Sequence, residues 1–168
     1  GCDGILTSPT DPFDENLIGA LSQTVRIIAT FSVGFEHIDL TAAAKRGIQV
    51  TNTPDVLTEA TAEIALLLLL GAARRAHEGQ DMLRSGSWRG WNPTQLRGAQ
   101  LSGKTLGILG MGRIGQAVAA RAKAFGMKIH YHNRSRLAPD LEMGARFHET
   151  AEGLLSKSQF LSIHCPLT

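Results

Sequence analysis

The sequence predicts an α/β protein built on parallel sheet, and three features carry that expectation. Short β-rich runs alternate with helical runs in two separate series, the pattern of strands joined by crossover helices. A glycine-rich turn, Gly110-Met111-Gly112-Arg113-Ile114-Gly115, follows an apolar run and opens an amphipathic segment. The chain has 168 residues, the length of one average domain with a buried core or of parts of two.

The first series starts at residues 26–31 (RIIATF), a β-rich run, followed by the loop SVGFEHID. Residues 40–46 form a short helix closed by Gly47, a residue suited to the left-handed position past a helix end. Residues 48–51 (IQVT) form a second strand, halted by Asn52, Thr53 and Pro54. Residues 58–83 are rich in Ala, Leu, Glu and Arg and predict the longest helix, with Gly71 and Gly79 as its weak points. The stretch 85–98 (SGSWRGWNPTQLRG) holds breakers throughout and reads as a connecting loop. The second series then runs as strand 104–109, helix 114–125, strand 127–132, a short helix near Leu154 and strand 160–164, which makes three strands.

Composition narrows the function classes. Lys and Arg number 17 against 15 Asp and Glu, a net charge of +2, too small for the electrostatic footprint of a nucleic-acid or anionic-membrane binder. The apolar run 64–73 (IALLLLLGAA) is far shorter than the roughly 20 residues needed to span a bilayer. Cys2 and Cys165 stand at opposite ends of the chain, which fits a reducing compartment better than a disulfide scaffold. The opening GCDGILTSP has no basic or apolar leader segment, so a cytoplasmic location is expected.

The glycine turn carries the chemistry. In a strand–turn–helix context the G-x-G-x-x-G pattern is a dinucleotide-binding fingerprint and defines a Rossmann-like unit. Gly110 permits the tight turn, Gly112 lets backbone approach a pyrophosphate, and Gly115 lets the helix pack against the strand. Met111, Arg113 and Ile114 complete the loop, and the helix start offers free N–H groups to phosphate. An enzyme that prefers NAD carries an acid about 20 residues beyond the motif, where it accepts the ribose 2′-hydroxyl. This window holds Asn133, Arg134, Ser135 and Arg136 and no acid. Guanidinium groups bind a 2′-phosphate through charge-assisted, bidentate hydrogen bonds, so NADP(H) is expected to be preferred over NAD(H).

Taken together, SVGFEHIDLTAAAKRGIQVTNTPDVLTEATAE, GSWRGWNPTQLRGAQLSGKTLGILGMGRIGQAV, FGMKIHYHNRSR and FLSIHCPLT resemble the D-isomer-specific 2-hydroxyacid dehydrogenases, and within them the bacterial glyoxylate/hydroxypyruvate reductases. The resemblance covers essentially the whole chain. It implies a flavodoxin-like substrate domain, present in part over residues 1–53, and a Rossmann-like cofactor domain, present in part over residues 54–168 and beginning with the long helix. It implies further a homodimer formed around that helix, with Trp88 and Trp91 in a loop near the subunit contact. Val33 and Gly34 match the backbone that meets the substrate carboxylate. Thr61 matches a position that approaches the cofactor, and Cys165 and Pro166 match the strand-end loop beside its ribose.

The implied activity is NADPH-dependent reduction of a small 2-oxo acid, glyoxylate or hydroxypyruvate, to the 2-hydroxy acid. A family member with another 2-hydroxy acid substrate, or a non-catalytic NAD(P)(H)-sensing module, are the alternatives, since fold does not fix function. The family's catalytic arginine, acid and histidine lie beyond the HCPLT block, so the resemblance implies an internal segment without catalytic residues. The six histidines are not read as substitutes. His130 and His132 share a strand face without a third ligand. His37 belongs to loop and cap chemistry, and His164 points away from its neighbour Cys165.

Overall fold

Residues 1–57 hold a three-stranded parallel sheet, and residues from Thr58 onward hold a separate four-stranded one. The computed structural model describes residues 1–166. Leu167 and Thr168, the last two of the HCPLT block, lie outside the described residues.

In the first unit β1 (Gly4–Thr7), β2 (Ile27–Thr30) and β3 (Gln49–Thr51) lie in that order, with Gly4 opposite Ile27 and Ile27 opposite Gln49. Helices α1 (Glu15–Ala20) and α2 (Leu40–Lys45) connect them. Each begins at an aspartate whose carboxylate accepts a first-turn N–H: Asp14 from Leu17 at 2.8 Å, Asp39 from Ala42 at 2.9 Å. Gly47, at φ 66°, ends α2. The core is mostly aliphatic, with Ile18 and Ile28 fully buried among Phe13, Val25, Ile38, Ala43 and Ile48. Neither β1 nor α1 is signalled by the sequence, because four residues with a mixed exposure pattern and a six-residue helix carry almost no periodic signal.

The second unit opens with α3 (Thr58–Ala73) and α4 (Ala76–Arg84), followed by β4 (Thr105–Leu109), α5 (Arg113–Ala124), β5 (Lys128–His132), α6 (Pro139–Glu142), β6 (Arg146–Phe147), α7 (Ala151–Leu155) and β7 (Phe160–Ile163). The strand order is β6-β5-β4-β7, parallel throughout, which matches strands 3-2-1-4 of a dinucleotide-binding sheet. Central strand β4 is buried from Thr105 to Ile108, as expected of a parallel strand covered on both faces. Leu106, Ile108, Val118, Ala119, Ala122 and Tyr131 form the core with Ala62 and Leu66 of α3. Alanines at these helix positions leave space for α3 and α5 to pack side by side.

Two expectations need correction. The single helix over 58–83 is two helices, and the break falls between the suspected glycines, at Arg74 and Arg75. Ala99 N–H donates to Ala73 O at 2.8 Å, taking the acceptor that the next helical turn would use. Arg75 turns left-handed at φ 54°, and its Nε donates to Glu78 Oε2 at 2.9 Å. The sheet also has four strands among the described residues, because Arg146 and Phe147 pair with His130 and Tyr131 as β6.

Candidate functional site

The carboxyl ends of β4, β5 and β7 converge on the glycine turn. Gly110 N–H donates to His132 O at 3.0 Å, and His164 N–H donates to Leu109 O at 2.8 Å, so the turn is clamped between its neighbouring strands. Gly110 has φ 93°, and a Cβ there would lie 2.7 Å from Cys165 N. A Cβ on Gly115 would lie 2.5 Å from Gly110 O and 3.2 Å from Ile108 Cγ2, so α5 starts in direct contact with strand and turn. Around Gly112 there is open space. No side chain caps α5 at Gly112, leaving the first-turn N–H groups and the positive end of the dipole available to an anion. A tight turn, a close helix and an uncapped, unobstructed N-terminus fit a bound pyrophosphate.

Met111 contributes backbone only, since its side chain is fully buried. Its N–H donates to Asn133 Oδ1 at 2.6 Å, which ties the loop after β5 to the glycine turn. Arg113 and Ile114 open the helix. Beyond Asn133, Arg134 and Ser135 are exposed. Arg136 is also exposed, but its Nε and Nη2 donate to Glu142 Oε1 and Oε2 at 2.7 and 3.0 Å. Tyr131 Oη donates to the same carboxylate at 2.6 Å. The Arg136 and Tyr131 hydrogen bonds hold the Glu142 carboxyl at about 2, well below the ordinary range, against the opposing effect of burial.

On the far side of the turn, Cys165 and Pro166 are exposed after β7, and Cys2 and Cys165 are both free thiols. Thr61 of α3 lines a groove of about 460 Å³ with Leu68, Leu161, Ser162 and His164. His164 Nε2 and Ser162 Oγ are 2.8 Å apart, and burial pushes the imidazole pKa down. His130 and His132 flank buried Tyr131 on β5, and His148 Nε2 lies 3.0 Å from His130 Nδ1. Among the described residues no group of three or more His, Cys, Asp or Glu could hold a metal ion. No helix of the described chain is long and apolar enough to cross a membrane.

In the first unit, Val33 and Gly34 sit in a loop whose carbonyls are engaged. Asn52 Nδ2 donates to Val33 O at 2.7 Å, and Ser32 Oγ donates to Gly34 O at 2.6 Å. Thr30 Oγ1 lies 2.7 Å from Ser32 Oγ and 3.0 Å from His37 Nε2. The N–H groups of Val33 and Gly34 find no acceptor among the described residues, which suits them to an external carboxylate. The Glu36 carboxylate crowds the Cα of Gly34. The sequence assigns His37 to loop and cap chemistry and Asn52 to a strand stop, but signals neither their bonds to Thr30 and Val33 nor the roles of Ser32 and the Tyr131–Glu142 pair. Asn52 directly after a strand is the one signal that could have suggested a loop tether.

These features define a dinucleotide-binding α/β protein. Residues 66–168 match the family model described as D-isomer specific 2-hydroxyacid dehydrogenase, NAD binding domain, and the chain belongs to that family. It is 47% identical over 168 residues to a glycerate dehydrogenase of Hyphomicrobium methylovorum, covering 99% of this chain and 52% of that protein. It is 49% identical over 171 residues to a glyoxylate reductase of Thermococcus litoralis, covering 99% and 51%. Among solved structures, a glyoxylate reductase from Paecilomyes thermophila superposes with a TM-score of 0.89 at 41% identity, covering 99% of this chain and 51% of that one. A Granulicella formate dehydrogenase superposes with a TM-score of 0.90 at 30% identity, covering 99% and 45%. The chain thus spans about half the length of the curated relatives it matches.

Proposed function

We propose that the protein containing this chain reduces a small 2-oxo acid, glyoxylate or hydroxypyruvate, to the 2-hydroxy acid with NADPH. The single observation carrying the cofactor reading is the pairing of an uncapped glycine turn with an acid-free loop. Asn133 joins the two through the Met111 N–H, and Arg134 stands exposed next to it. A carboxylate in that loop would repel a 2′-phosphate, whereas a guanidinium attracts one. The relatives named glyoxylate reductase and glycerate dehydrogenase support the substrate class.

Gly110, Met111, Gly112, Arg113, Ile114 and Gly115 hold the pyrophosphate, with Gly112 as the point of closest approach. Asn133, Arg134, Ser135 and Arg136 form the loop at the adenosine ribose, while Thr61, Cys165 and Pro166 flank the remainder of the cofactor. The nicotinamide supplies hydride. The N–H groups of Val33 and Gly34 orient the substrate carboxylate, on a loop that Asn52 and Ser32 hold by its carbonyls. Residues 1–53 belong to the substrate domain and 54–168 to the cofactor domain, and the whole protein is a cytoplasmic homodimer with Trp88 and Trp91 near the subunit contact. The catalytic arginine, acid and histidine lie outside these residues, so the 168-residue chain binds adenosine-side ligands without turnover.

Substituting Arg134 with Asp tests the cofactor assignment. NADPH affinity should fall by about ten-fold or more, the effect of losing one charge-assisted contact, while NADH affinity changes little. Equal losses for both cofactors would contradict it.

A further inference from the structure

The two arginines of the loop after β5 are held in different states. Arg136 presents its Nε–Nη2 edge to Glu142 in a two-bond fork at 2.7 and 3.0 Å. Glu142 is only 7% exposed, and its Oε1 also accepts from the fully buried Tyr131 Oη at 2.6 Å. The tyrosine oxygen in turn accepts the Leu137 N–H at 3.2 Å. The Arg136 guanidinium lies 5.8 Å from the centre of the Phe147 ring, and Phe147 packs on Tyr131 with ring centres 5.3 Å apart. Strands β5 and β6, helix α6 and the loop therefore each contribute a group to one closed arrangement. Arg134, two residues earlier, is exposed and makes no hydrogen bond or ion pair among the described residues.

A carboxylate sits on Arg136 in the bidentate geometry that a phosphate would use. A second anion at that guanidinium meets a cation already neutralised and a buried negative charge close behind it. The geometry points to Glu142 as a specificity-determining positioning residue, which withholds Arg136 from the cofactor 2′-phosphate, uses it to hold the loop, and leaves phosphate recognition to Arg134 and Ser135. This inference rests on the NADPH reading above and narrows it from two arginines to one.

The test uses 2′,5′-ADP and 5′-AMP, which share the adenosine 5′-phosphate and differ by the 2′-phosphate. Their Kd ratio is measured by calorimetry on the 168-residue chain and its variants. The unaltered chain should favour 2′,5′-ADP; equal affinities, or binding of neither, overturn the NADPH reading itself. Arg134→Gln should collapse the preference by about ten-fold or more. Arg136→Gln should weaken both ligands together and alter their ratio by less than about three-fold. In the Arg134→Gln background, Glu142→Gln should restore several-fold preference by releasing Arg136, a rescue that a merely structural role would not produce. If Arg136→Gln collapses the ratio as Arg134→Gln does, or Glu142→Gln rescues nothing in a folded protein, Glu142 does not withhold Arg136. Because Glu142→Gln disturbs a buried group, the arginine side-chain Nε–H resonances of the unaltered chain give a second reading. Adding 2′,5′-ADP should shift Arg134 and leave Arg136 in place, and the reverse overturns the inference.

Discussion

Gly110, Gly112 and Gly115 do three different things, and substitution separates them. Gly115→Ala drives a methyl group to 2.5 Å from Gly110 O, an overpacking expected to cost about 1–3 kcal/mol and to lower the thermal midpoint together with cofactor binding. Gly112→Ala meets nothing within reach, so the melting temperature should hold while binding weakens, because the added methyl occupies the approach of the pyrophosphate. A paired thermal melt and NADPH titration distinguishes the two. The Glu142 carboxyl offers a pH test. With its pKa lowered from 4.5 to about 2 in the fold, its stabilisation is complete above the higher value and is lost as pH falls toward the lower one. Urea midpoints across that interval should fall less steeply in Glu142→Gln than in the parent chain. The glycines were readable in the sequence because the turn needs that residue type at that spacing. Glu142 was not, because its partners Tyr131 and Arg136 meet it through a one-turn helix that carries no periodic pattern.

Helices and strands with a continuous apolar pattern were the readable elements: β4, α5 and β5 lie within a residue or so of where alternation and amphipathicity place them. Those set by tertiary contacts were not. The α3–α4 break depends on the 98–99 segment reaching back to Ala73 O, and a Cβ on Gly98 would strike that carbonyl. Gly98→Ala should therefore destabilise the second unit, measured as a lowered denaturation midpoint. Two-residue β6 is paired on one side only and its residues alternate with no run to detect. Beside it, His130 Nδ1 and His148 Nε2 lie 3.0 Å apart, so one ring must remain neutral to accept the other's N–H. Burial lowers both pKa values, and Arg146, Lys128, Lys157 and the neighbouring His132 add positive charge around the pair. A histidine kept neutral in the fold loses its stabilising contribution as pH falls below the ordinary 6.5. Hydrogen exchange of the β5–β6 amides should speed up on acidification in that range, and His148→Gln should flatten the response.

For the chain as a whole, two units, each with its own core, carry the two halves of the proposed chemistry: the N–H groups of Val33 and Gly34, without an acceptor among the described residues, in one, and the glycine turn and the β5 loop in the other. Leu161 and Ile163 are exposed on β7, at one edge of the second sheet, and Ile64, Leu67 and Leu68 are exposed on α3. Apolar residues on a sheet edge and an adjacent helix favour association, so the 168-residue chain should self-associate with rising concentration, and Leu161→Lys should reduce this in light scattering. The alternation of strands and helices made the parallel architecture readable at this scale, while cofactor preference depends on one loop. Its decisive measurement is a pair of titrations of the unaltered chain with NADPH and with NADH under identical salt. Clearly tighter NADPH binding is the expected result, with the exposed guanidinium of Arg134 reading the 2′-phosphate; equal or tighter NADH binding would contradict it and leave Arg134 a solvated surface residue.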